Sequence, residues 1–494
     1  MTALGGHGEK PGGPADPAGS AYEAVIGLEV HCELSTRTKL FCGCPNRFGA
    51  EPNTNVCPVC LGLPGSLPVL NVRAVELAMR IGAALHCEVR PSIFHRKNYF
   101  YPDMPKDYQV SQYDEPINVN GFLELPDGTR VGIVRAHMEE DTGKTTHVGG
   151  GGRIHDADHA LIDYNRAGVP LVEIVSAPDL RSALQARAYV AELRAILVAT
   201  EASDGRMEEG SLRVDANVSV RAAGIAELGT RAEIKNLNSL RSLTRAIDYE
   251  IGRQAALLES GEPVVQETRH WDEDAGRTVA LRSKEEAFDY RYFPEPDLVP
   301  VAPDPSWQKD VTSSLTVLPA ERRARLRQLL ATTEVTGPQE DQIATVVEHG
   351  LDELVLAAAE ADVPPALALA RTANEASASA EAARAVEPAA YVALLQMEHA
   401  GELTATQAKA VLAELLEHGG DPAEIRRRKG FETLEAESLA GVVAEVIAAN
   451  PGEWERYRSG EDKLAGFFTG QVMQKTSGKA DGKAVAAELR RLRG

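Results

Sequence analysis

The side chains best suited to chemistry begin in the run YEAVIGLEVHCEL, from Tyr22 to Leu34. Val25, Gly27, Glu29, His31 and Glu33 fall on one parity, and Ile26, Leu28, Val30, Cys32 and Leu34 on the other. That period of two predicts a half-buried strand with Glu29 and His31 on its polar face. Three adjacent acids, Glu139, Glu140 and Asp141, follow another strand-like run, and neighbouring carboxylates repel unless a cation or water neutralises them. A strand-end cluster of that kind suits Mg²⁺, which takes a few carboxylates with water and phosphate, although an acidic run alone is most often only solvated. Glu173 stands inside the apolar run LVEIV, where an ionised group needs a partner. Arg213, Asp215, Asn217 and Ser219 alternate with Leu212, Val214, Ala216 and Val218, so one strand face carries a cation, an acid and an amide.

The segment from Phe94 to Pro116 packs four tyrosines, three Lys or Arg and three prolines into one loop-like stretch. Such segments often carry function. Lys97 and Lys106 could hold phosphates, and Tyr99 or Tyr101 could stack a base; the plainer reading is a rim of surface tyrosines broken by prolines. Cys42 and Cys44 form a C-x-C pair, and Cys57 and Cys60 a C-x-x-C pair after twelve intervening residues. Two such knuckles complete a tetrahedral thiolate shell, which favours a structural Zn²⁺ over a set of reduced thiols. Cys32 and Cys87 stand alone and read as small buried hydrophobes.

These groups need a scaffold. The chain has 494 residues, enough for roughly three domains of about 150 residues. Residues 1–20, rich in Gly, Pro and Ala, read as disordered. Strand-like runs dominate to about Val301 and predict one large α+β domain over residues 21–300, with helices at 74–85 and 183–199. After Pro305 the chain turns rich in Ala, Glu, Leu and Arg, which predicts a helical domain over 301–394. Short helices separated by glycines then predict a small tail domain over 395–494, with Thr404 and Gln407 as a capping box. No apolar run approaches the roughly 20 residues of a membrane span, so a cytoplasmic protein without membrane contact is expected. The net charge of −21 speaks against a nucleic-acid partner except through local patches. Two exist, Arg426 to Lys429 and the stretch from Lys463 onward, and either alone also reads as a solvated helix face.

The motifs IGLEVH, RKNYFYPDMPK, HMEEDTGK, NRAGVPLVEIVSAPD, MEEGSLRVDANVS, KNLNSL and DYRYFPEPDL, in that order, are specific. With them the chain resembles the B subunits of bacterial aspartyl/glutamyl-tRNA amidotransferases from about Tyr22 to its end. The resemblance implies a cradle-shaped catalytic domain, a helical domain and a tail domain that touches the tRNA body. It implies ATP-dependent phosphorylation of the side-chain carboxylate of Glu-tRNA(Gln) or Asp-tRNA(Asn), then amidation by ammonia channelled from an amidase (A) subunit. A small C subunit would complete a heterotrimer. His31, Glu140 and Glu173 match the family's Mg²⁺ positions, with Glu29 beside them, and Lys97 and Arg213 lead as groups that stabilise transferred charge. The four cysteines are not found throughout that family, so zinc is not essential to its chemistry.

Two other readings compete. A stand-alone ATP-dependent carboxylate–amine ligase would not need the helical and basic tail, and the chain lacks a Gly-rich phosphate loop. A non-catalytic zinc and RNA scaffold would not need acids, Lys and Arg spread over several strands.

Overall fold

The computed structural model describes residues 21–98, 100–149, 157–281, 290–331, 339–431, 436–476, 480 and 482–493. The segment expected to be disordered, residues 1–20, and the proposed stacking residue Tyr99 lie outside this set. The chain divides into two compact units, 1–318 and 319–494.

In the first unit the period-two runs become strands: β1 (Tyr22–Glu33), β2 (Glu88–Val89), β3 (His95–Asn98), β4 (Tyr108–Ser111), β5 (Asn118–Glu124), β6 (Arg130–Glu140), β7 (Lys144–Val148), β8 (His159–Asp163), β9 (Pro170–Ser176), β10 (Leu212–Ala222), β11 (Ala232–Leu237), β12 (Glu267–Asp272), β13 (Arg277–Ala280) and β14 (Phe293–Pro294). Twelve of them form one mixed sheet whose path runs β13-β12-β11-β10-β1-β9-β6-β4-β3-β14, with β2 and β5 branching from β6. Strand β1 lies at its centre, antiparallel to β10 and β9, and β9 pairs in turn with β6. The register sets Glu29 opposite Asp215, His31 opposite both Arg213 and Glu173, and Glu173 opposite His137.

Alternation sorts these strands into two faces. Ile26, Leu28, Val30, Ala136, Met138, Val172, Ile174, Val214, Ala216 and Val218 join one buried core with residues of helices α1 (Val72–Ala84), α2 (Ala183–Ala199) and α3 (Leu240–Glu259). Each helix starts where a short polar side chain satisfies a free amide: Asn71 accepts from Arg73, Ser182 from Gln185 and Ser239 from Ser242. Helix α4 (Pro305–Ser313) closes the unit, its Val311 in the same core. The opposite face, free of these helices' apolar residues, keeps the polar side chains. The fold class is α+β, as expected.

Of the strands flanking Arg166–Gly168, β8 joins β7 in a separate two-stranded sheet, whereas β9 enters the main sheet between β1 and β6. One local reading changes. The loop-like stretch 94–116 contains β3 and β4, paired antiparallel from His95–Ser111 to Asn98–Tyr108.

The second unit is helical: α5 (Pro319–Leu330), α6 (Glu340–Glu348), α7 (Asp352–Glu360), α8 (Pro365–Asn374), α9 (Ala380–Ala385), α10 (Pro388–His399), α11 (Ala405–His418), α12 (Pro422–Lys429), α13 (Ala436–Ala449), α14 (Pro451–Arg458), α15 (Leu464–Lys475) and α16 (Gly482–Arg493). The Thr404–Gln407 capping box starts α11. A boundary at 394/395 would cut α10, because Leu394 and Leu395 belong to one core that runs from Leu326 to Ile425. A separate core spans Leu439 to Leu489, so the tail begins later than its glycines suggest. The change at 300/301 likewise shifts to 318/319, since α4 still packs with the sheet's core. No helix among the described residues is long and apolar enough to cross a membrane.

Candidate active site

Because side chains on adjacent strands line up across a sheet, the polar face collects ligand-type groups from β6, β9, β1, β10 and β11. Two clusters form. In the first, ligand atoms of His137, Glu139 and Glu173 lie within 4.8 Å of one another; in the second, those of Glu29, Asp215 and Glu233 do. His31 joins the first, its Nε2 3.5 Å from Glu173.

Glu139 is held tightly. Its carboxylate accepts from Gln109 Nε2 at 2.9 Å and Ser111 Oγ at 3.2 Å, and lies 2.9 Å from His137 Nε2. His137 is fully buried, and its Nδ1 has no hydrogen-bond partner among the described residues. Burial disfavours the charged form of His31, but the hydrogen bond and charge of Glu173 outweigh it and push the imidazole up to about 9. Burial likewise opposes ionisation of Glu173, yet His31 and His137 hold its carboxyl far below the usual range. Arg135 lies 3.9 Å from Glu173 and sits over the Tyr113 ring.

In the second cluster Glu29 accepts from Asn217 at 3.0 Å, and Asp215 accepts from the Asn236 amide at 2.8 Å and from Lys235 at 3.2 Å. Burial first, then the negative charges of Glu173, Asp215 and Glu233, raise the Glu29 carboxyl above its ordinary value. Such mutual repulsion is what a bound cation relieves. The first cluster, carboxylate oxygens with imidazole at one edge, fits a hard divalent ion; the second is all carboxylate, and there Lys235 lies 3.2 Å from Asp215 and 2.6 Å from Glu233.

The expected site residues thus separate. Glu29, His31, Glu173, Arg213, Asp215 and Asn217 share the polar face. Arg213 is already engaged by Asp141, which Arg166 also approaches at 3.6 Å. Lys97 packs its ammonium 4.9 Å from the Tyr290 ring. Glu140 does not meet His31 and Glu173: one residue beyond Glu139, it shares the core-side parity of Met138. There it takes the ammonium of Lys106 and the Val110 amide, the latter at 2.9 Å. Lys106 is therefore committed to Glu140 and flanked by the Phe41 and Tyr108 rings, not open on the polar face for a phosphate.

Residues not singled out as ligands complete the site: His137, Glu139 and Arg135 on β6, and Glu233 and Lys235 on β11. An aromatic wall stands beside them. Tyr113 stacks on Tyr292 at 5.5 Å and meets His137 edge-on at 6.1 Å, and Tyr290 meets Tyr292 edge-on.

The four cysteines Cys42, Cys44, Cys57 and Cys60 converge, their sulfurs within 4.8 Å of one another and those of Cys57 and Cys60 3.9 Å apart. An edge of about 3.8 Å follows from Zn–S bonds of about 2.3 Å in a tetrahedron, so the set fits Zn²⁺. A hydrogen bond from Cys42, then the Cys57 amide and the Lys39 charge, lower the Cys60 thiol to about 4, which readies one thiolate. We expect purified protein to carry about one zinc per chain by elemental analysis, and Cys57→Ser to lower thermal stability more than turnover per folded molecule. Metal content far below one, with wild-type stability, would contradict that.

The chain matches the family model described as GatB/GatE catalytic domain over residues 24–309, and that described as GatB domain over 354–492. A protein of Mycobacterium sp. (strain KMS) is 50% identical over 495 residues, covering 97% of this chain and 96% of that protein. One from Acaryochloris marina is 47% identical over 485 residues, covering 95% and 97%. One from Streptomyces avermitilis is 48% identical over 484 residues, covering 94% of each. All three carry the name of the B subunit of aspartyl/glutamyl-tRNA(Asn/Gln) amidotransferase. With its polar-face carboxylates set on a sheet that the first family model spans, the chain belongs to the family of aspartyl/glutamyl-tRNA amidotransferase B subunits.

Proposed function

We propose that this chain activates the side-chain carboxylate of Glu-tRNA(Gln) or Asp-tRNA(Asn) with ATP and then amidates it. The observation that carries the reading is the pair of carboxylate clusters on one sheet face, with His31 between them and Arg135, Arg213 and Lys235 alongside. A carboxylate is a poor acyl donor. Transfer of the γ-phosphoryl group to one carboxylate oxygen releases ADP and gives an acyl phosphate. The lone pair of ammonia then attacks the carbonyl carbon, the C–O bond to phosphate breaks with its electrons, and loss of a proton leaves the amide.

Residues His137, Glu139 and Glu173, with His31 beside them, and separately Glu29, Asp215 and Glu233, would hold Mg²⁺. When bound, that ion neutralises charge on the phosphoryl oxygens. The chain's own cations do the rest. Arg135 borders the first cluster and can hold phosphate oxygens, Lys235 neutralises Asp215 and Glu233 in the second, and Lys97 stands further along the face at Tyr290. The Tyr113–Tyr292 stack, with Arg135 over it, offers flat faces for the unpaired bases at the tRNA end. None of these residues makes ammonia, so a partner amidase, the A subunit, must supply it, and a small C subunit in a cytoplasmic heterotrimer completes the assembly.

Measuring ATP turnover with and without mischarged tRNA tests the reading. Turnover that depends on mischarged tRNA supports it. Turnover driven by a free amino acid would favour a stand-alone ligase, and none at all a scaffold.

The tail supports an RNA contact. Helix α16 ends in Arg490, Arg491 and Arg493, and α12 in Arg426 to Lys429. Several of these cations are paired with acids, as Arg491 is with Glu488 and Arg493 with Asp462, so the net pull on phosphate is modest. Removing residues 436–494 deletes one whole core and leaves the other intact. We expect this to raise KM for aminoacyl-tRNA and to flatten its salt dependence. An unchanged KM from low to high salt would count against it.

A further inference from the structure

Asp141, the third acid of the run that starts at Glu139, belongs to neither carboxylate cluster. It is 3% exposed, and its backbone is fixed from both sides. Its amide donates to the Val169 carbonyl at 2.8 Å, and its carbonyl accepts from the Gly168 amide at 2.9 Å. One carboxylate oxygen, Oδ1, accepts from the Thr142 amide at 2.8 Å. The other, Oδ2, accepts from Arg213 Nη2 and has Arg166 Nε 3.6 Å away. Arg166 is itself held, donating to the Thr142 and Gly143 carbonyls at 2.9 and 3.0 Å. The Glu33 carboxyl meets Asp141 as well.

Arg213 is bonded far less. A guanidinium carries its N–H groups in a rigid, planar fork. Among the described residues Arg213 makes one hydrogen bond, from Nη2 to Asp141, and its buried Nε has no partner. The ion pairs that brace this fold are built otherwise. Arg96 grips Glu295 through both Nε and Nη2, and Arg371 grips Glu398 and Arg322 grips Asp352 in the same way. A bidentate pair is the stronger brace. The one-point contact leaves the rest of the Arg213 fork unbonded on the polar face. Its side chain is 22% exposed and stands directly across from His31, with Glu173 next in the same row. Unpaired N–H groups so little exposed to water are costly unless an anion completes them.

We propose that Asp141 is a positioning residue: seated by the 168–169 backbone and by Arg166, it holds Arg213 at one point and leaves the unbonded N–H groups of that fork to meet the phosphoryl group in transfer. The proposal rests on the function proposed above and adds what holds its cation in place. An arginine side chain has a long, flexible stem, and on its own it must be ordered each time charge develops. Tied to a buried carboxylate, the guanidinium stands ready before the reaction and needs no reorganisation during it. The three neighbouring acids thus take three tasks: Glu139 in the first cluster, Glu140 on Lys106 and Asp141 on Arg213.

Chemical rescue in the enzyme assembled with its partner subunits tests this. Arg213→Ala should lower kcat for ATP turnover dependent on mischarged tRNA by roughly 10²- to 10³-fold per folded molecule. Guanidinium chloride at millimolar concentration should restore part of that loss, with a saturating dependence. In Arg213→Ala/Asp141→Asn the half-saturating concentration should rise about tenfold or more, because the added ion has lost its charged acceptor. Asp141→Asn alone should lower kcat about tenfold while KM for ATP and for tRNA stays within about twofold. A mere brace between segments behaves differently: the melting temperature falls, turnover per folded molecule is kept, and guanidinium restores only stability. That pattern overturns the assignment, and so does rescue that is indifferent to Asp141. Should Arg213→Ala fail to fold, Asp141→Asn decides alone, since it keeps the shape, and wild-type kcat in it overturns the assignment. A wild-type enzyme without tRNA-dependent ATP turnover refutes the proposed function and this inference with it, whereas full kcat in Asp141→Asn refutes this inference only.

Discussion

Glu139→Gln is expected to lower ATP turnover dependent on mischarged tRNA by roughly 10²- to 10³-fold, the usual cost of removing one preorganised charged group at a reacting centre. The replacement keeps shape and loses charge. It also turns an amide nitrogen toward Gln109, Ser111 or His137, which now donate to or face the carboxylate, so its orientation is spoiled as well. Binding of Mn²⁺ as a Mg²⁺ substitute, followed by electron paramagnetic resonance, should weaken in parallel, while glutamine hydrolysis by the partner amidase continues. Glu140→Gln should leave the Mn²⁺ signal unchanged, because Glu140 faces the core side of β6. Loss of Mn²⁺ binding in Glu140→Gln but not in Glu139→Gln would reverse the assignment and restore the one that motif resemblance alone implies.

The same pair of neighbours marks how far the sequence reaches. The alternation in YEAVIGLEVHCEL puts Glu29 and His31 on one face, and the structure keeps them there with Arg213, Asp215 and Asn217. The helix at 183–199 and the Thr404–Gln407 capping box are also local patterns, and both stand where their residues put them. The three acids after GIVRAHM look like one cluster by residue type, yet the period of two divides them: Arg135, His137 and Glu139 take one side, Met138 and Glu140 the other. Strand parity, legible in the sequence, places Glu140 on the side of β6 away from His31 and Glu173.

Other features carry no local signal. Tyr113 reaches Tyr292, and Glu29 reaches Glu233, only through strand order and register, which pairings distant along the chain decide. The tail boundary escapes a local reading for a similar reason. Glycines punctuate helices whether or not the helices share a core, and α10 and α11 share one.

The second large effect concerns stability. Lys106 and Glu140 form an ion pair whose side chains are 8% and 2% exposed. Glu140 gains a further hydrogen bond from the Val110 amide, and Lys106 lies against two aromatic rings. Desolvating two such charges is costly, and their attraction offsets the cost only while both are present. Lys106→Met should therefore destabilise the first unit by about 3–5 kcal/mol, since it strands a buried carboxylate. Glu140→Gln, which strands the ammonium, should cost a similar amount. The double variant Lys106→Met/Glu140→Gln removes both charges and should cost less than either single change, so the coupling in a double-mutant cycle should be at least about 3 kcal/mol. The urea midpoint of the sheet unit's transition reads this directly. Additive single effects, each below about 1 kcal/mol, would mean that the pair is solvated like a surface salt bridge. Burial on opposite sides of β6 should thus give the two neighbouring glutamates opposite signatures: Glu139→Gln is expected to fold normally and fail in turnover, and Glu140→Gln to lose stability first and turnover only as it unfolds.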